Sequence, residues 1–132
     1  MKLTVLGCNG HYPTAHGACS GYLLEDENTK ILIDCGNGVL SRFFAHCDDL
    51  NKLDAIVISH LHPDHMSDLM VLRYAIFIKK MFGRLDKSIP IYLPKSPLEE
   101  YEKIQYNDAF NLNIINEEAE VNIKDIKINR KN

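Results

Sequence analysis

The sequence predicts an α/β (α+β) fold, in which a mixed β-sheet carries helices. Apolar segments of strand length, bounded by Gly, Pro, Asn and Asp, alternate along the chain with segments of helical periodicity. Such alternation is typical of a β-sheet that packs against helices. A buried run at residues 55–58 leads directly into a turn that contains Pro, as expected where a strand ends.

The first part of the chain reads as three strands. Residues 2–6 alternate polar and apolar side chains, as does a strand with one covered face. Residues 21–25 and 30–34 form a predicted hairpin around a short polar turn. The loop at 7–20 contains two histidines, which we expect to be solvated.

Helical periodicity covers three segments. Residues 38–46 are predicted to form a short helix against the sheet. Residues 68–82 are apolar nearly all round, so this helix is expected to be buried on more than one side, with Ser67 as its N-cap and Gly83 at its end. A helix from about Pro97 to Gln105 or Tyr106 is predicted from a capping box at residues 96–99.

Strands are predicted again in the second half of the chain. Residues 89–93 form a short strand, and Pro90 indicates either a sheet edge or an irregular start. Residues 110–128 alternate apolar and polar side chains, which predicts two or three antiparallel strands.

The stretch at residues 59–65 concentrates metal-binding chemistry. It reads Ser59, His60, Leu61, His62, Pro63, Asp64 and His65. A single His is usually a satisfied core or surface residue, and a His-x-His pair can occur by chance. Imidazole nitrogen and carboxylate oxygen are ligands that suit a catalytic zinc or a similar divalent ion. A turn could aim His60 and His62 at one point and Asp64 and His65 at a neighbouring one, which indicates two metals side by side.

These residues carry a family resemblance. The stretch matches the His-x-His-x-Asp-His signature of the metallo-β-lactamase-fold hydrolases, and its setting resembles the ribonuclease Z-like branch. The resemblance includes the opening strand and loop at residues 1–7, a Ser-Gly-Tyr-Leu-Leu strand at 20–24, and a strand that ends in Asp34, Cys35 and Gly36. It implies half of an αββα sandwich, with helices packed on one face of a mixed β-sheet.

The resemblance also implies a set of metal ligands. His60, His62, Asp64 and His65 would bind two zinc ions in the complete site, with Mn or Fe as other possible metals, and Asp64 would also be catalytic. Asp34 would lie beneath the ligand loop and orient its imidazoles. The family usually has Gly where Asp68 stands.

Several ligands that the family uses lack a counterpart in this sequence. The family adds a third His, a bridging Asp and a last His, whereas no His follows His65 here. Asp86, Asp108 and Asp125 do not match the setting of the bridging Asp. Residues 1–132 are therefore interpreted as a single domain that lacks its C-terminal half.

The resemblance implies a hydrolase in which a metal-activated water attacks an ester. The favoured substrate is a phosphodiester, and carboxylic esters, thioesters and lactams remain alternatives within the fold. The chain alone is expected to be weakly active or inactive. A function of another class is a non-catalytic metal-binding or oligomerising module, since an apolar sheet face left uncovered would favour a homo-oligomer.

Composition excludes several other classes of protein. The chain has 132 residues, 45% of them hydrophobic and 25% charged, with a net charge of −3. This composition fits a globular domain without general attraction for nucleic acid or anionic membrane, so nucleic acid is expected only as a substrate. A basic run near residues 79–87 is expected to be solvated helix surface. No secretory leader, membrane span or disulfide framework is predicted, which indicates a cytoplasmic protein.

Overall fold

The computed structural model describes residues 1–116 and 118–130, without the side chains of Ala119 and Arg130. None of its helices is long and apolar enough to cross a membrane. The strands and helices are β1 (Lys2–Gly7), β2 (Gly21–Glu25), β3 (Lys30–Ile33), α1 (Val39–His46), β4 (Ala55–Val57), α2 (Pro63–Met66), α3 (Leu69–Met81), β5 (Ile89–Leu93), α4 (Leu98–Glu102), β6 (Phe110–Ile114), β7 (Ala119–Ile123) and β8 (Ile126–Arg130).

A six-stranded mixed sheet organises the molecule, with its strands in the order β1-β2-β3-β4-β5-β6. The pairs β1–β2 and β2–β3 are antiparallel, while β3–β4, β4–β5 and β5–β6 are parallel. The carboxyl ends of β3 to β6 therefore meet at the same edge of the sheet, where open α/β sheets bind their ligands. The predicted mixed sheet with helices is confirmed.

Helices α1 and α3 pack on one face of this sheet. Leu32 and Ile56 of the sheet, Phe43 of α1 and Leu72 and Ile76 of α3 are fully buried in one cluster. Burying each such side chain contributes about 1.5–3 kcal/mol before entropy costs. This cluster fixes the sheet edge that carries the candidate site.

The β7–β8 hairpin packs on part of the opposite face. Val121, Ile123 and Ile126 form a second buried cluster with Ile31 and Val57 of the sheet. The prediction of antiparallel strands after residue 110 is correct for this hairpin. It is wrong for β6, which joins the main sheet parallel to β5.

On the sheet face that carries the β7–β8 hairpin, the part at β1 is open to solvent. Leu3 and Val5 of β1 are 58% and 57% exposed. Leu3 pairs with Leu24, which packs partly into the hairpin cluster, so Leu3 and Val5 lie on the hairpin side of the sheet.

Helix α3 is less buried than its composition predicted. Its buried residues form one stripe, Leu69, Leu72 and Ile76, whereas Val71 is 57% exposed and Phe82, just past its end, 70% exposed. The expectation of burial on more than one side is therefore wrong for the described part of the chain.

The segment before α3 also differs from the prediction. Ser67 is not an N-cap but ends α2, and its buried hydroxyl has no hydrogen-bond partner among the described residues. Asp68 precedes Leu69 and caps another helix, because its Oδ2 accepts hydrogen bonds from the backbone N–H groups of Gly38 (3.0 Å) and Leu40 (2.9 Å). The carboxylate thus ties the start of α1 to the start of α3.

Two prolines behave differently from the predictions. The capping box at residues 96–99 is absent, because the N-cap position falls on Pro97 and α4 ends at Glu102. Pro90 lies in an internal strand, so the edge interpretation is wrong. Ile89 donates its N–H toward β6, so the nitrogen of Pro90 faces β4, whose pairing begins one residue later at Ile91.

Candidate metal centre

The histidine-rich segment begins where the buried strand β4 ends. Ile58 donates its N–H to the carbonyl oxygen of Tyr92 at 2.8 Å, which fixes the base of the segment against β5. His62 is extended, with ψ 146°, as favoured before proline, and Pro63 then opens the short helix α2. Asp64 and His65 consequently lie on this helix, whereas His60 and His62 lie on the loop before it.

Asp34 lies beneath this segment and is 4% exposed. Its Oδ1 accepts hydrogen bonds from the N–H (2.8 Å) and the hydroxyl (3.0 Å) of Ser59, and its Oδ2 lies 2.8 Å from His65 Nδ1. Its φ of 61° is left-handed, a conformation that Asp and Asn tolerate better than most residues. Asp34 therefore connects the end of β3 to both ends of the histidine-rich segment.

These hydrogen bonds determine which imidazole nitrogens are free. A carboxylate only accepts, so His65 Nδ1 donates to Asp34 and the Nε2 lone pair of the neutral ring remains available. Ser59 donates its hydroxyl proton to Asp34, and its oxygen lies 3.0 Å from His60 Nδ1, which can donate to it. Both rings therefore hold Nδ1 in a hydrogen bond, and Nε2 is the nitrogen left for a metal; in His65 that atom lies 3.2 Å from Asp64 Oδ2.

Backbone contacts hold the same segment in place. The carbonyl oxygen of His65 accepts from Cys35 N–H at 2.7 Å, and that of Asp64 accepts from Ser20 N–H at 3.1 Å. A side chain on Gly36 would place its Cβ 2.1 Å from the carbonyl oxygen of Asp64, so only glycine permits this approach. The turn after strand β3 and the segment with the candidate ligands are therefore tightly packed against each other.

The four candidate ligands fall into two neighbouring pairs. The rings of His60 and His62 are stacked, with an interplanar angle of 8° and centroids 6.0 Å apart. His65 Nε2 lies 3.2 Å from Asp64 Oδ2, and the His60 and His65 ring centroids are 5.1 Å apart. Among residues 1–116 and 118–130, no three His, Cys, Asp or Glu side chains are arranged to hold one ion by themselves. The donor types and the free Nε2 atoms fit divalent ions, with coordination positions left for other ligands.

Within the described residues, no other acidic or imidazole side chain joins the candidate ligands in a group that could hold an ion. His11 and His16 are exposed on the β1–β2 loop. Asp86 and Asp108 precede β5 and β6, which places them toward the amino ends of these strands, and Asp125 lies in the β7–β8 turn.

A cleft of about 1000 Å³ opens beside the histidines. His60 and His62 line one part of it, and the loop after β5, including Lys95 and Ser96, lines another. From the sequence, residues 96–99 of this loop were predicted only as a helix start, without a role in the site. Its proximity follows from the parallel pairing of β4 and β5, which brings the residues after both strands to the same sheet edge.

Three of the four cysteines are buried and have low thiol reactivity. Burial, with the Asp68 and Asp34 carboxylates nearby, raises the pKa of the Cys35 thiol well above its usual value. Burial likewise raises the pKa of Cys19 and of Cys47. Cys8 is the exposed cysteine of the four. A raised pKa means less thiolate, the reactive form, at any given pH below it.

Alkylation of the native chain is therefore expected to be selective. Iodoacetamide at about pH 8 should modify Cys8 first and Cys35 last, because Cys35 combines full burial with a low thiolate fraction. Mass spectrometry of peptides over time measures the order, with a Cys8→Ser variant as control. Modification of Cys35 as fast as Cys8 in the folded chain would contradict this assignment.

Comparison with known proteins shows the family of this chain. The model of the metallo-beta-lactamase superfamily matches residues 15–130. The chain is 40% identical over 106 residues to the probable metallo-hydrolase YhfI of Bacillus subtilis, which covers 80% of this chain and 43% of that protein. It is 29% identical over 128 residues to a ribonuclease Z of Methanopyrus kandleri, which covers 97% of this chain and 44% of that enzyme.

A solved structure agrees with these relationships. The crystal structure of the metallo-beta-lactamase fold protein YhfI from Bacillus subtilis superimposes with a TM-score of 0.85 at 32% identity, over 92% of this chain and 49% of that one. The chain belongs to the metallo-beta-lactamase superfamily and is similar to its ribonuclease Z members. It spans about half the length of the curated relatives it matches.

Proposed function

We propose that this chain supplies the first ligands of a metal-dependent hydrolase that cleaves phosphodiesters. The observation that carries the proposal is the Asp34–His65–Asp64 contact series, in which a buried carboxylate holds one nitrogen of an imidazole and leaves the other beside a second carboxylate. Membership of the superfamily supports hydrolysis. Similarity to a ribonuclease Z favours a phosphodiester, either in a nucleic acid or in a small molecule.

Each candidate residue has a separate role in this proposal. His60 and His62 would hold one divalent ion, and Asp64 and His65 a second. Asp34 fixes the orientation of His65 directly and that of His60 through Ser59. Bound ions would supply a water of lowered pKa and positive charge for the ester oxygens. Zinc fits imidazole and carboxylate donors, and manganese or iron are alternatives.

The ligand set within the described residues is incomplete for efficient catalysis. Two protein ligands per ion are fewer than the three that catalytic zinc sites commonly have. We therefore propose that residues 1–132 form one half of a domain and that further ligands come from another polypeptide segment. The isolated chain is then weakly active or inactive.

An assay of hydrolysis tests the proposal. The chain and a longer polypeptide that contains it are incubated with zinc or manganese and with bis(4-nitrophenyl) phosphate, a short RNA, 4-nitrophenyl acetate and a chromogenic β-lactam. The longer protein should cleave the diesters fastest, and metal chelation should abolish cleavage. Faster cleavage of the acetate or lactam would favour the alternative substrates, and no metal-dependent cleavage of any substrate would refute a hydrolase.

A homo-oligomeric, non-catalytic module is the second candidate function. It is supported by the exposed Leu3 and Val5 on the sheet and by Val71 and Phe82 at α3, since exposed apolar surface favours association. Light scattering on the folded chain discriminates, because a strictly monomeric species would argue against it.

Nucleic acid is proposed only as a substrate, because a net charge of −3 supplies no general attraction for it, and three lysines of the basic run at residues 79–87 contact neighbouring groups of the fold. Lys79 lies over the Phe44 ring, and Lys80 donates to Ser88 Oγ at 2.9 Å. Lys87 donates to the carbonyl oxygen of Leu53 at 2.8 Å. A cytoplasmic location is likewise a proposal, supported by four free cysteines.

A further inference from the structure

The cleft beside the histidines is built at the carboxyl ends of three neighbouring parallel strands. The segment after β4 contributes His60 and His62, the segment after β5 contributes Lys95 and Ser96, and the segment after β6 contributes Ile115. Backbone hydrogen bonds hold these segments together, because Ile115 donates its N–H to the carbonyl oxygen of Leu93 at 2.9 Å. A substrate at the histidines would therefore also meet the loop after β5.

Lys95 differs from the other residues that line this cleft. It is the single Lys or Arg among the described lining residues, and its side chain is exposed. No ion pair in the described part of the chain involves it. Its Nζ lies 5.9 Å from the centroid of the Tyr101 ring, a contact that holds an ammonium group near an aromatic face without neutralising its charge.

We propose that Lys95 binds an anionic oxygen of the substrate and thereby makes the cleft selective for phosphodiesters over neutral esters. This inference rests on the proposed function, and it names Lys95 as the residue that selects the substrate class. A phosphodiester carries one negative charge at neutral pH, whereas carboxylic esters carry none at the ester group. An ammonium group carries three N–H donors, one of which can bind such an oxygen.

Ser96 and Glu118 line the same cleft as Lys95 and should affect the binding of an anion there. Ser96, next to Lys95 on the cleft wall, offers a neutral donor. Glu118, which precedes β7, also lines the cleft, and its carboxylate repels anions. Removing Glu118's charge should therefore strengthen anion binding, while removing Lys95's charge should weaken it.

The test measures binding without metal and without hydrolysis. The chain is titrated with dimethyl phosphate, a monoanionic diester, and with trimethyl phosphate, its neutral analogue, while amide chemical shifts are followed by NMR. The variants are Lys95→Gln, Lys95→Arg, Glu118→Gln and a matched control, Lys79→Gln. Lys79 is also a lysine over an aromatic ring, 5.5 Å from the centroid of Phe44, but it does not line the cleft.

Dimethyl phosphate should shift the amides of residues 59–62 and those of Lys95, Ser96 and Leu98. Lys95→Gln should raise its Kd about fivefold, as expected for one solvent-accessible charge contact worth about 1 kcal/mol. Lys95→Arg and Lys79→Gln should stay within about twofold of the parent, and Glu118→Gln should lower the Kd. Binding of trimethyl phosphate should not change in any variant.

An unchanged Kd for dimethyl phosphate in Lys95→Gln, no shift at these amides, or equal losses in Lys79→Gln would each overturn the inference. These outcomes are separate from those of the hydrolase proposal. If no metal-dependent cleavage is found, the hydrolase proposal is refuted even if Lys95 binds dimethyl phosphate. If the titration shows no role for Lys95, metal-dependent cleavage can still be observed.

Discussion

Replacing Asp34 with alanine is expected to lower the free energy of unfolding by about 3 kcal/mol, since it leaves the Ser59 hydroxyl and N–H and His65 Nδ1 without their buried acceptor. A further cost of about 1 kcal/mol comes from the left-handed backbone at φ 61°, which alanine tolerates poorly. The same change should weaken metal binding about 10- to 100-fold, because His65 loses the partner that orients it.

Two matched variants separate these contributions. Asp34→Gly accepts the backbone conformation but removes every side-chain hydrogen bond, whereas Asp34→Asn keeps the shape and one acceptor oxygen. Urea unfolding of the metal-free chain measures stability, and zinc titration against a chromophoric chelator measures affinity. We expect Asp34→Asn to be the mildest variant in both assays. Equal zinc affinity in the parent and in Asp34→Ala would refute the orienting role.

The sequence was sufficient for those features that depend on neighbouring residues. The strands at 21–25 and 89–93 were predicted at the bounds that the structure has, because their patterns of apolar residues and flanking turn residues are local. Helix α1 was predicted within one residue for the same reason. The clustering of residues 59–65 is also local, which is why the candidate ligands could be named from the sequence.

Features that depend on tertiary placement were missed. The alternation of residues 110–114 predicts a strand but not its direction, so the parallel pairing of β6 with β5 was not foreseen. Asp68 caps helix α1, and the capped residue Gly38 lies 30 positions before Asp68 in the chain. Lys95 reaches the cleft only because β5 pairs with β4. No local signal distinguishes these residues from ordinary surface or cap residues.

The double variant His60→Ala, His62→Ala is expected to abolish binding of the metal ion that these two imidazoles would hold. Removing direct ligands should lower affinity more than about 100-fold, since losing even an outer partner of a ligand costs about 10- to 100-fold. The fold should be unaffected, because both side chains are exposed and His62 makes no side-chain cap bond in α2. Zinc content after dialysis, measured by atomic absorption, should therefore fall while the thermal unfolding midpoint of the metal-free chain stays unchanged.

The matched control is His11→Ala, His16→Ala, which removes two exposed imidazoles from the β1–β2 loop. It should retain the zinc content of the parent, because these histidines lie outside the candidate pairs. If the control lost zinc and the His60, His62 variant kept it, the ligands would have to lie in the β1–β2 loop. If only the His60, His62 variant loses zinc, the loop after β4 supplies metal ligands, and Asp64 and His65 become the next pair to test by the same comparison.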